Sequence, residues 1–430
     1  MSRTPGVRAR AATGCALAIA LGAFASSGSA SEATALRPLQ PLIDATPEGA
    51  TLRPPPGTWA GPVVIRRAIT IDGDGAVHID AGGHGTVVRI EADGVTLRGL
   101  RISGSGSNHD TVDAGVGIAG SGNLIEDNEI EDCLFGIDLA QSNDNVLRRN
   151  RIRSKTRQTA MRGDAIRLWY SFRNQILENE TSDVRDAVAW YSSDNVFSRN
   201  RFTRGRYGLH MMYAHQNVVE DNEFRENMTG IFLMYSDRAL LRRNRILGAQ
   251  GAAGVGVGFK ESSEATLEEN DIVYCATGIL LDVSPYEPDT VNLFTRNRIA
   301  YNGVGIVFHT DWTGNELRAN EFRANFTQVA VRGGGSAIRN LWQGNHWDDY
   351  EGFDRDGDGD GDTPYELHAW ADRIWMELPQ AAFFRASPVL EVIDFLDRLA
   401  PFSPPILILR DEAPRFNAAP QRATAVRRPS

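Results

Sequence analysis

The sequence is poor in cysteine, has fewer basic than acidic residues, and lacks several motifs that would assign a function. Its 430 residues include three Cys, and no Cys and His spacing is typical of a zinc site. There is no Gly-x4-Gly-Lys-Ser/Thr motif, so any ATP chemistry would belong to a partner. The apolar run from Cys15 to Ala25 is shorter than the ~20 residues that a membrane-spanning helix needs. These absences argue against a zinc protein, an ATPase and an integral membrane protein.

The first 30 residues have the pattern of a secretory signal. Arg3, Arg8 and Arg10 precede the apolar run, and Gly28 to Ala30 form a small-residue cleavage site. We expect residues 1–30 to be removed and the mature protein to be exported. Because three of the 45 basic residues lie in this segment, 42 remain against 55 acidic residues, a net charge of −13. That charge disfavours nucleic acid and a bare anionic membrane, so a membrane would be met only through a protein partner.

An Asn-containing motif recurs along most of the chain. The pattern Asn-Φ-x-x-x-Asn-x-Φ, in which Φ is apolar, is complete in eight copies, and two weaker copies begin with Ala239 and Ala265. Each period is too short for a pair of helices and has the alternation of short strands, which is typical of one coil of a parallel β-helix. The second Asn of the copies falls at Asn128, Asn150, Asn179, Asn200, Asn222, Asn244, Asn270, Asn297, Asn320 and Asn345.

These repeats predict an all-β protein, a right-handed parallel β-helix with a short C-terminal helical segment. The stacked Asn side chains would bond to one another and satisfy buried amides at a tight turn, so we interpret them as structural. We expect a lead-in segment at 31–49, the β-helix at 50–347, an acidic loop at 348–366 and a helical or extended segment at 367–430.

Two cysteines lie in phase with the repeat. Cys133 and Cys275 each precede the small residue of their coil by three positions, but they are six coils apart. At ~4.8 Å per strand this separation is about 29 Å, too far for a disulfide. We expect both to be buried free thiols.

Each coil contains a second apolar run that opens with a small residue, and aligning the coils on that residue predicts which side chains face outward. Two inward columns are expected: Ile166, Val188, Leu209, Ile231, Val257, Ile279 and Ile306, and Leu168, Trp190, Met211, Leu233, Phe259, Leu281 and Phe308. Two outward columns are expected: Arg167, Ala189, His210 and Phe232, and Trp169, Tyr191, Met212, Met234, Lys260, Asp282 and His309. Large apolar side chains on the outside of consecutive coils indicate a site for a ligand or a partner.

The outward columns suggest a soft-metal site. His210, Met212 and Met234 would lie on adjacent rungs, with His215 in the following turn and with Tyr191 and Trp169 beside them. Thioether and imidazole together suit copper, above all Cu(I) bound transiently. The alternative is a protein-docking face without metal, because Met is favoured at adaptable interfaces in any case.

An acidic run near the end of the repeats suggests a calcium site. Asp354, Asp356, Asp358, Asp360 and Asp362 alternate with small residues or Arg, an arrangement that can aim several oxygens at a structural Ca²⁺. The run begins like an EF-hand loop, but its twelfth position is Tyr365 and Glu366 comes one residue late. The alternative is a solvated acidic loop.

The chain resembles a known family of periplasmic proteins. The repeats GLHMMYAHQNVVEDNEF and GIFLMYSDRALLRRNRI, followed by NHWDDYEGFDRDGDGDGDTPYE, are similar to the NosD family, β-helix maturation factors for nitrous-oxide reductase. The resemblance covers nearly the whole mature chain. It implies a periplasmic accessory protein, without catalytic residues, that works with an ABC-type ATPase and permease, a copper chaperone and the reductase. The copper centres of the reductase would be supplied with copper or a sulfur species.

Other classes of function remain open from the sequence. Many β-helices bind carbohydrate or are polysaccharide lyases or hydrolases, and such enzymes need acid and base groups clustered on an outer face. Asp164 and Asp186 are expected at equivalent positions of adjacent coils, near Asp183, Arg162 and Arg185. The competing interpretation is a charge ladder in which the arginines neutralise the acids. A purely structural or adhesive solenoid is the third possibility.

The C-terminal segment predicts one helix. Ser387 and Pro388 are typical of a helix start, and Pro401 follows its end. Val389, Val392, Ile393, Leu396 and Leu399 form one apolar stripe. This helix would either cover the open end of the β-helix or dock to the permease.

Overall fold

The computed structural model describes residues 36–252, 254–369, 376, 387–399 and 405–417. The expected signal peptide lies outside these ranges. Within them the chain is a parallel β-helix, as the sequence predicts, with two long parallel sheets and a small antiparallel pair. In the described ranges, no helix combines the length and apolarity needed to cross a membrane.

Sheet A has 25 short strands. They are β1 (Arg37–Pro38), β2 (Thr51–Leu52), β3 (Gly57–Ala60), β5 (Thr70–Asp80), β7 (Thr96–Ser103), β9 (Leu124–Glu126), β10 (Glu129–Cys133), β12 (Val146–Arg148), β13 (Arg151–Ser154), β15 (Gln175–Leu177), β16 (Glu180–Ser182), β18 (Val196–Ser198), β19 (Arg201–Thr203), β21 (Val218–Glu220), β22 (Glu223–Arg225), β24 (Leu240–Arg242), β25 (Arg245–Leu247), β27 (Thr266–Glu268), β28 (Asp271–Val273), β30 (Asn292–Thr295), β31 (Arg298–Ala300), β33 (Asn315–Arg318), β34 (Glu321–Arg323), β36 (Leu341–Gln343) and β37 (His346–Trp347).

Sheet B has 12 strands, one from each coil. They are β4 (Val63–Ile65), β6 (Val88–Ile90), β8 (Ala114–Ile118), β11 (Phe135–Ala140), β14 (Ile166–Trp169), β17 (Asp186–Trp190), β20 (Tyr207–Met212), β23 (Thr229–Met234), β26 (Val255–Lys260), β29 (Thr277–Asp282), β32 (Val304–Phe308) and β35 (Thr327–Val331). The third sheet pairs β38 (Tyr365–Ala369) with β39 (Ile406–Asp411) in antiparallel fashion. The helices are α1 (Gln40–Ala45), a 3₁₀ turn at Thr159–Met161 and α2 (Pro388–Leu399).

The repeated Asn residues form two buried ladders. In the second ladder, for example, Asn200 Nδ2 donates to Asn222 Oδ1 at 3.0 Å and to Ile176 O at 2.7 Å. The backbone N–H of Asn200 donates to the same Asn222 oxygen at 2.8 Å. The residue before each Asn of the second ladder has a left-handed backbone, as at Arg199 with φ 56°. The side-chain ladder therefore satisfies the amides of a tight turn, which confirms the structural interpretation.

The two sheet-A strands of a coil meet at that turn, and an outward column on the second strand alternates in charge from coil to coil. Through direct backbone pairing one column runs Arg101, Glu129, Arg151, Glu180, Arg201, Glu223, Arg245, Asp271, Arg298 and Glu321. Opposite charges on neighbouring strands attract, whereas like charges directly opposite destabilise a sheet. The column therefore favours the observed order of coils over one in which a coil is skipped.

The predicted columns of sheet B are correct except in the coil of β17. There, Ile166 pairs with Ala187 and Trp169 pairs with Trp190. A bulge between Asp186 and Val188 then restores the register with the next strand. Because this coil reaches the sheet one residue earlier than the alignment assumed, Val188 and Trp190 belong to the outward columns, and the expectation that they point inward is wrong.

The C-terminal end of the β-helix is covered by strands β38 and β39. The Tyr365 ring stacks on Trp347 with centroids 4.4 Å apart, and Ala337 N donates to Ile408 O at 2.8 Å. Asp411, fully buried, takes the place of the next ladder Asn and accepts from Asn345 N at 3.0 Å and Asn345 Nδ2 at 2.9 Å. The covering role therefore belongs to β38 and β39.

Helix α2 forms where the sequence predicts it, but its apolar stripe is exposed. The five residues of the stripe are each at least one-third exposed, as is Phe395: Val389, Val392, Ile393, Leu396 and Leu399. Of the two alternatives for this helix, the exposed stripe therefore contradicts a cover over the end of the β-helix.

Candidate functional site

Sheet B brings the sulfur and nitrogen donors of two adjacent coils to one outward face. Met212 pairs directly with Met234, and His210 pairs with Phe232. Paired residues on adjacent parallel strands are ~4.8 Å apart, and residues two apart on a strand point to the same side. We name the outward surface formed by Trp169, Trp190, His210, Met212 and Met234 the Met face.

His210 is the most buried member of the Met face. It is 9% exposed, and its Nε2 atom is buried without a hydrogen-bond partner among the described residues. The ring stacks on Tyr207, with centroids 4.8 Å apart. Burial lowers the pKa of His210, an effect that Asp186 opposes and Arg206 reinforces. Burial therefore favours the neutral imidazole, the form in which one ring nitrogen can bind a metal.

The other methionines of the region lie elsewhere. Met211, between the two outward positions of its strand, is fully buried in the core, as the alternation predicts. Met228 is 48% exposed but precedes β23 and is outside the Met face. The thioethers of Met212 and Met234 are thus the ones that adjacent rungs place side by side.

His215, in the turn that follows β20, contacts an acidic partner. Its Nδ1 is 3.1 Å from a carboxylate oxygen of Asp237 and also 3.1 Å from the Asp237 backbone N. Burial alone would raise the pKa of Asp237, but hydrogen bonds from His215 and Ser263 lower it overall. The grouping of His215 with the other donors stays a prediction.

Tyr191 does not occupy the column in which the sequence placed it. It belongs to a stack of four tyrosines, Tyr170, Tyr191, Tyr213 and Tyr235, whose successive ring centroids are 4.8, 5.1 and 4.8 Å apart. Trp190 lies instead in the outward column, between Trp169 and Met212. The alignment on small residues missed Trp190 because it could not detect the early start of β17.

The two cysteines in the described part of the chain are not part of a reactive site. Cys133 and Cys275 are buried free thiols, as expected. Burial raises the pKa of Cys133 to about 12 and that of Cys275 to about 11. Thiols with such pKa values are neither nucleophiles nor ready metal ligands at neutral pH.

The acids proposed for polysaccharide chemistry are held by arginines. Because Ala187 pairs with Ile166, Asp186 lies one position away from the one equivalent to Asp164, and that expectation is wrong. An Arg185 Nη atom is 2.9 Å from Asp164, and Arg206 bonds to Asp186. Burial raises the pKa of Asp164 to about 6, although Arg185 opposes this.

The neighbouring charges of that group are also engaged. Asp183 is paired with Arg204 at 2.7 Å, and Arg162 donates to the carbonyl oxygen of Arg157 at 2.9 Å. The geometry therefore favours a charge ladder over a free pair of catalytic carboxylates.

The acidic loop brings three of its five carboxylates together. Oxygen atoms of Asp354, Asp356 and Asp358 lie within 4.8 Å of one another. Asp360 is outside this group, and Asp362 accepts from Arg355 N at 2.7 Å. Backbone N–H groups already donate to each of the three, for example Gly357 N to Asp354 at 2.8 Å. A Ca²⁺ site in this loop stays a prediction.

Solved structures of similar shape are β-helix proteins. The A-module of mannuronan C-5 epimerase AlgE6 of Azotobacter vinelandii gives a TM-score of 0.51 at 17% identity, covering 68% of this chain and 90% of that one. The alginate lyase AlyF, solved in complex with G6, gives 0.52 at 13% identity, covering 71% and 82%. Identities this low show a shared fold and carry no activity to this chain.

Sequence comparisons point to one family. Residues 153–352 match the family model described as periplasmic copper-binding protein (NosD). A probable ABC transporter binding protein NosD of Pseudomonas aeruginosa is 31% identical over 363 residues, covering 80% of this chain and 83% of that protein. A protein of the same description from Stutzerimonas stutzeri is 31% identical over 114 residues, or 26% of each chain. The chain therefore belongs to the NosD family of periplasmic copper-binding proteins.

Proposed function

We propose that this protein holds Cu(I) transiently on the Met face and passes it on during assembly of the copper centres of nitrous-oxide reductase, together with an ABC-type ATPase and permease. The observation that supports this proposal is the buried, unpartnered Nε2 of His210, on the outward face that also carries the paired Met212 and Met234. Leaving a buried polar atom unpaired costs about 1–3 kcal/mol. A function for that atom explains why the cost is tolerated.

The chemistry of the three donors fits copper. Two soft thioethers and one neutral imidazole form an uncharged ligand set, and the thioethers favour Cu(I) over Mg²⁺, Ca²⁺ or Zn²⁺. The lowered pKa of His210 means that protons compete with the metal only at pH values below the usual histidine range. Three donors on a surface leave one side of the ion open, so a copper chaperone or the reductase could exchange ligands with it.

The same donors favour copper over a sulfur species as cargo. Covalent carriage of sulfur needs a reactive thiol, and both described cysteines are buried, with their pKa raised to about 12 and about 11. The metal-free docking face is the competing proposal for the same surface.

A double substitution separates the two proposals. Met212→Leu with Met234→Leu keeps volume and apolarity but removes both sulfurs. We expect an unchanged melting temperature and at least a tenfold loss of Cu(I) affinity in a competition titration with a chromophoric Cu(I) chelator. Met228→Leu, an exposed methionine outside the Met face, is the matched control and should bind as the parent does.

The outcome decides between metal binding and docking. If the double variant binds Cu(I) as tightly as the parent, the Met face does not hold the metal. If it binds less Cu(I), the copper content of nitrous-oxide reductase in cells carrying the double variant should fall as well. Normal copper content in those cells would separate metal binding on the Met face from maturation of the reductase.

The exposed stripe of helix α2 supports docking to the permease. Six apolar side chains of a 12-residue helix are at least one-third exposed, and contiguous apolar surface of this kind usually marks an interaction site. Val392→Asp with Leu396→Asp should abolish co-purification with the permease and leave the β-helix folded. Retained co-purification would place the permease contact elsewhere.

A further inference from the structure

Trp190 completes the Met face on the side opposite Met234. Backbone pairing gives the order Trp169, Trp190, Met212 and Met234 along one outward column. Met212 therefore has an indole on one neighbouring rung and a second thioether on the other, each ~4.8 Å away along the stack. An ion bound by the Met212 sulfur would therefore be flanked by the rungs of Trp190 and Met234.

The indole of Trp190 is fixed by ring contacts. Its ring is 5.5 Å from that of Trp169, at 65°. Trp169 is held in turn by the Arg167 guanidinium, 5.1 Å from its ring centroid, and by edge contacts with Tyr170 and Tyr191. The aromatic face beside Met212 is thus pre-organised, so little side-chain freedom is lost when a ligand meets it.

Hydrogen bonding does not explain why this position is Trp. The Nε1 atom of Trp190 is buried, and no acceptor within the described part of the chain bonds to it. An unpartnered buried N–H is unfavourable, and a Phe would avoid it. What indole offers beyond phenyl is the most favourable ring face for a cation, effective within ~6 Å of the centroid.

We propose that Trp190 binds the Cu(I) ion on the Met face through a cation–π contact, as a fourth member of the site with His210, Met212 and Met234. This inference rests on the proposed function. The ring covers one side of a monovalent cation without adding charge. It also takes up space where Cu(II) would need further nitrogen or oxygen ligands in a tetragonal arrangement. Trp190 therefore makes the site selective for Cu(I) and shields the side of the ion that it covers from water and oxygen.

The indole gives its own signal for the test. Ag(I), which has the charge and soft character of Cu(I) but does not oxidise, is titrated into the parent protein, Trp190→Phe, Trp190→Leu and Trp59→Phe. Trp59 lies in strand β3, many coils from the Met face, and serves as the matched control. We expect Ag(I) to quench and shift tryptophan emission in the parent and in the control, and to lose that effect in both Trp190 variants.

Affinity and oxidation give the second readout. A cation–π contact corresponds to about a 2- to 30-fold change in affinity. We expect Trp190→Leu to bind Cu(I) more weakly by a factor in that range and to lose bound Cu(I) to air oxidation faster than the parent. Trp190→Phe should be intermediate in both, and it keeps an aromatic ring in place should the Leu variant fold poorly.

The failure of this inference differs from the failure of the proposed function. If the parent binds neither Ag(I) nor Cu(I), the Met face is not a copper site, and both proposals fall. If the parent binds both ions, but Trp190→Phe keeps the emission change, the affinity and the oxidation rate of the parent, the role of Trp190 is overturned and the copper site stands.

Discussion

Asp411 at the end of the Asn ladder offers a quantitative test of how the β-helix is closed. Its carboxylate accepts from Asn345 N, Asn345 Nδ2, Gly344 N and Trp347 Nε1 at 2.9 to 3.3 Å. Asp411→Ala removes an acceptor from these four donors, of which Gly344 N is only partly buried and Asn345 Nδ2 keeps a second acceptor in Leu317 O. Each unmade bond to a buried donor is worth about 1–3 kcal/mol. Because water can reach the end of a solenoid and satisfy part of this loss, we expect the free energy of unfolding to fall by about 3–6 kcal/mol.

The assay is urea denaturation followed by far-UV circular dichroism, with hydrogen exchange at the amides of Gly344 and Asn345 as the local readout. Asp110→Ala removes an exposed carboxylate and is the matched control, which should change stability by less than about 0.5 kcal/mol. Asp411→Asn retains one oxygen for the ladder and should fall between the two. A loss below about 1 kcal/mol in Asp411→Ala, with both amides still protected, would refute the capping role.

Three further predictions test the core, the thiols and the acidic loop. Met211→Ala should lower the free energy of unfolding by about 2–5 kcal/mol because it leaves a cavity in the core, and the protein that still folds should keep its Cu(I) uptake. An unchanged free energy of unfolding would contradict the placement of Met211 in the core. Cys133 and Cys275, buried and with pKa values raised to about 12 and about 11, should react with a thiol reagent only after unfolding, so labelling of native protein would be the contrary result. If the acidic loop binds Ca²⁺, adding Ca²⁺ should raise the melting temperature of the parent but not of Asp356→Ala with Asp358→Ala, and equal curves would exclude the site.

The β-helix could be predicted from the sequence because the repeated residues of one coil contact the equivalent residues of the next coil. Asn200 and Asn222 bond to each other in the structure, so their spacing carries the period of the coil. The same regularity placed His210 and Met212 correctly. It failed at Trp190, because a one-residue change in the length of a turn moves every following side chain to the other face until a bulge restores the register.

The closure of the β-helix could not be read from the repeat. Asp411 is 66 residues beyond Asn345 and replaces Asn with a different residue type, so no periodic signal links the two. The stripe of helix α2 suggested a cover because amphipathic helices usually bury their apolar side. In this protein the strands β38 and β39 already occupy that place, and the stripe is left for another surface.

The alternating charges of sheet A restrict how a solenoid of this kind can change its length in evolution. If one coil were duplicated, such as the coil that carries Arg201, the new Arg would lie directly opposite Arg201 on the neighbouring strand. Duplicating two neighbouring coils, those of Arg201 and Glu223, would repeat plus and minus in order and keep every contact attractive. Duplication of a pair of coils is therefore favoured over duplication of one coil. Homologous proteins that differ in length should differ by even numbers of coils along this stretch.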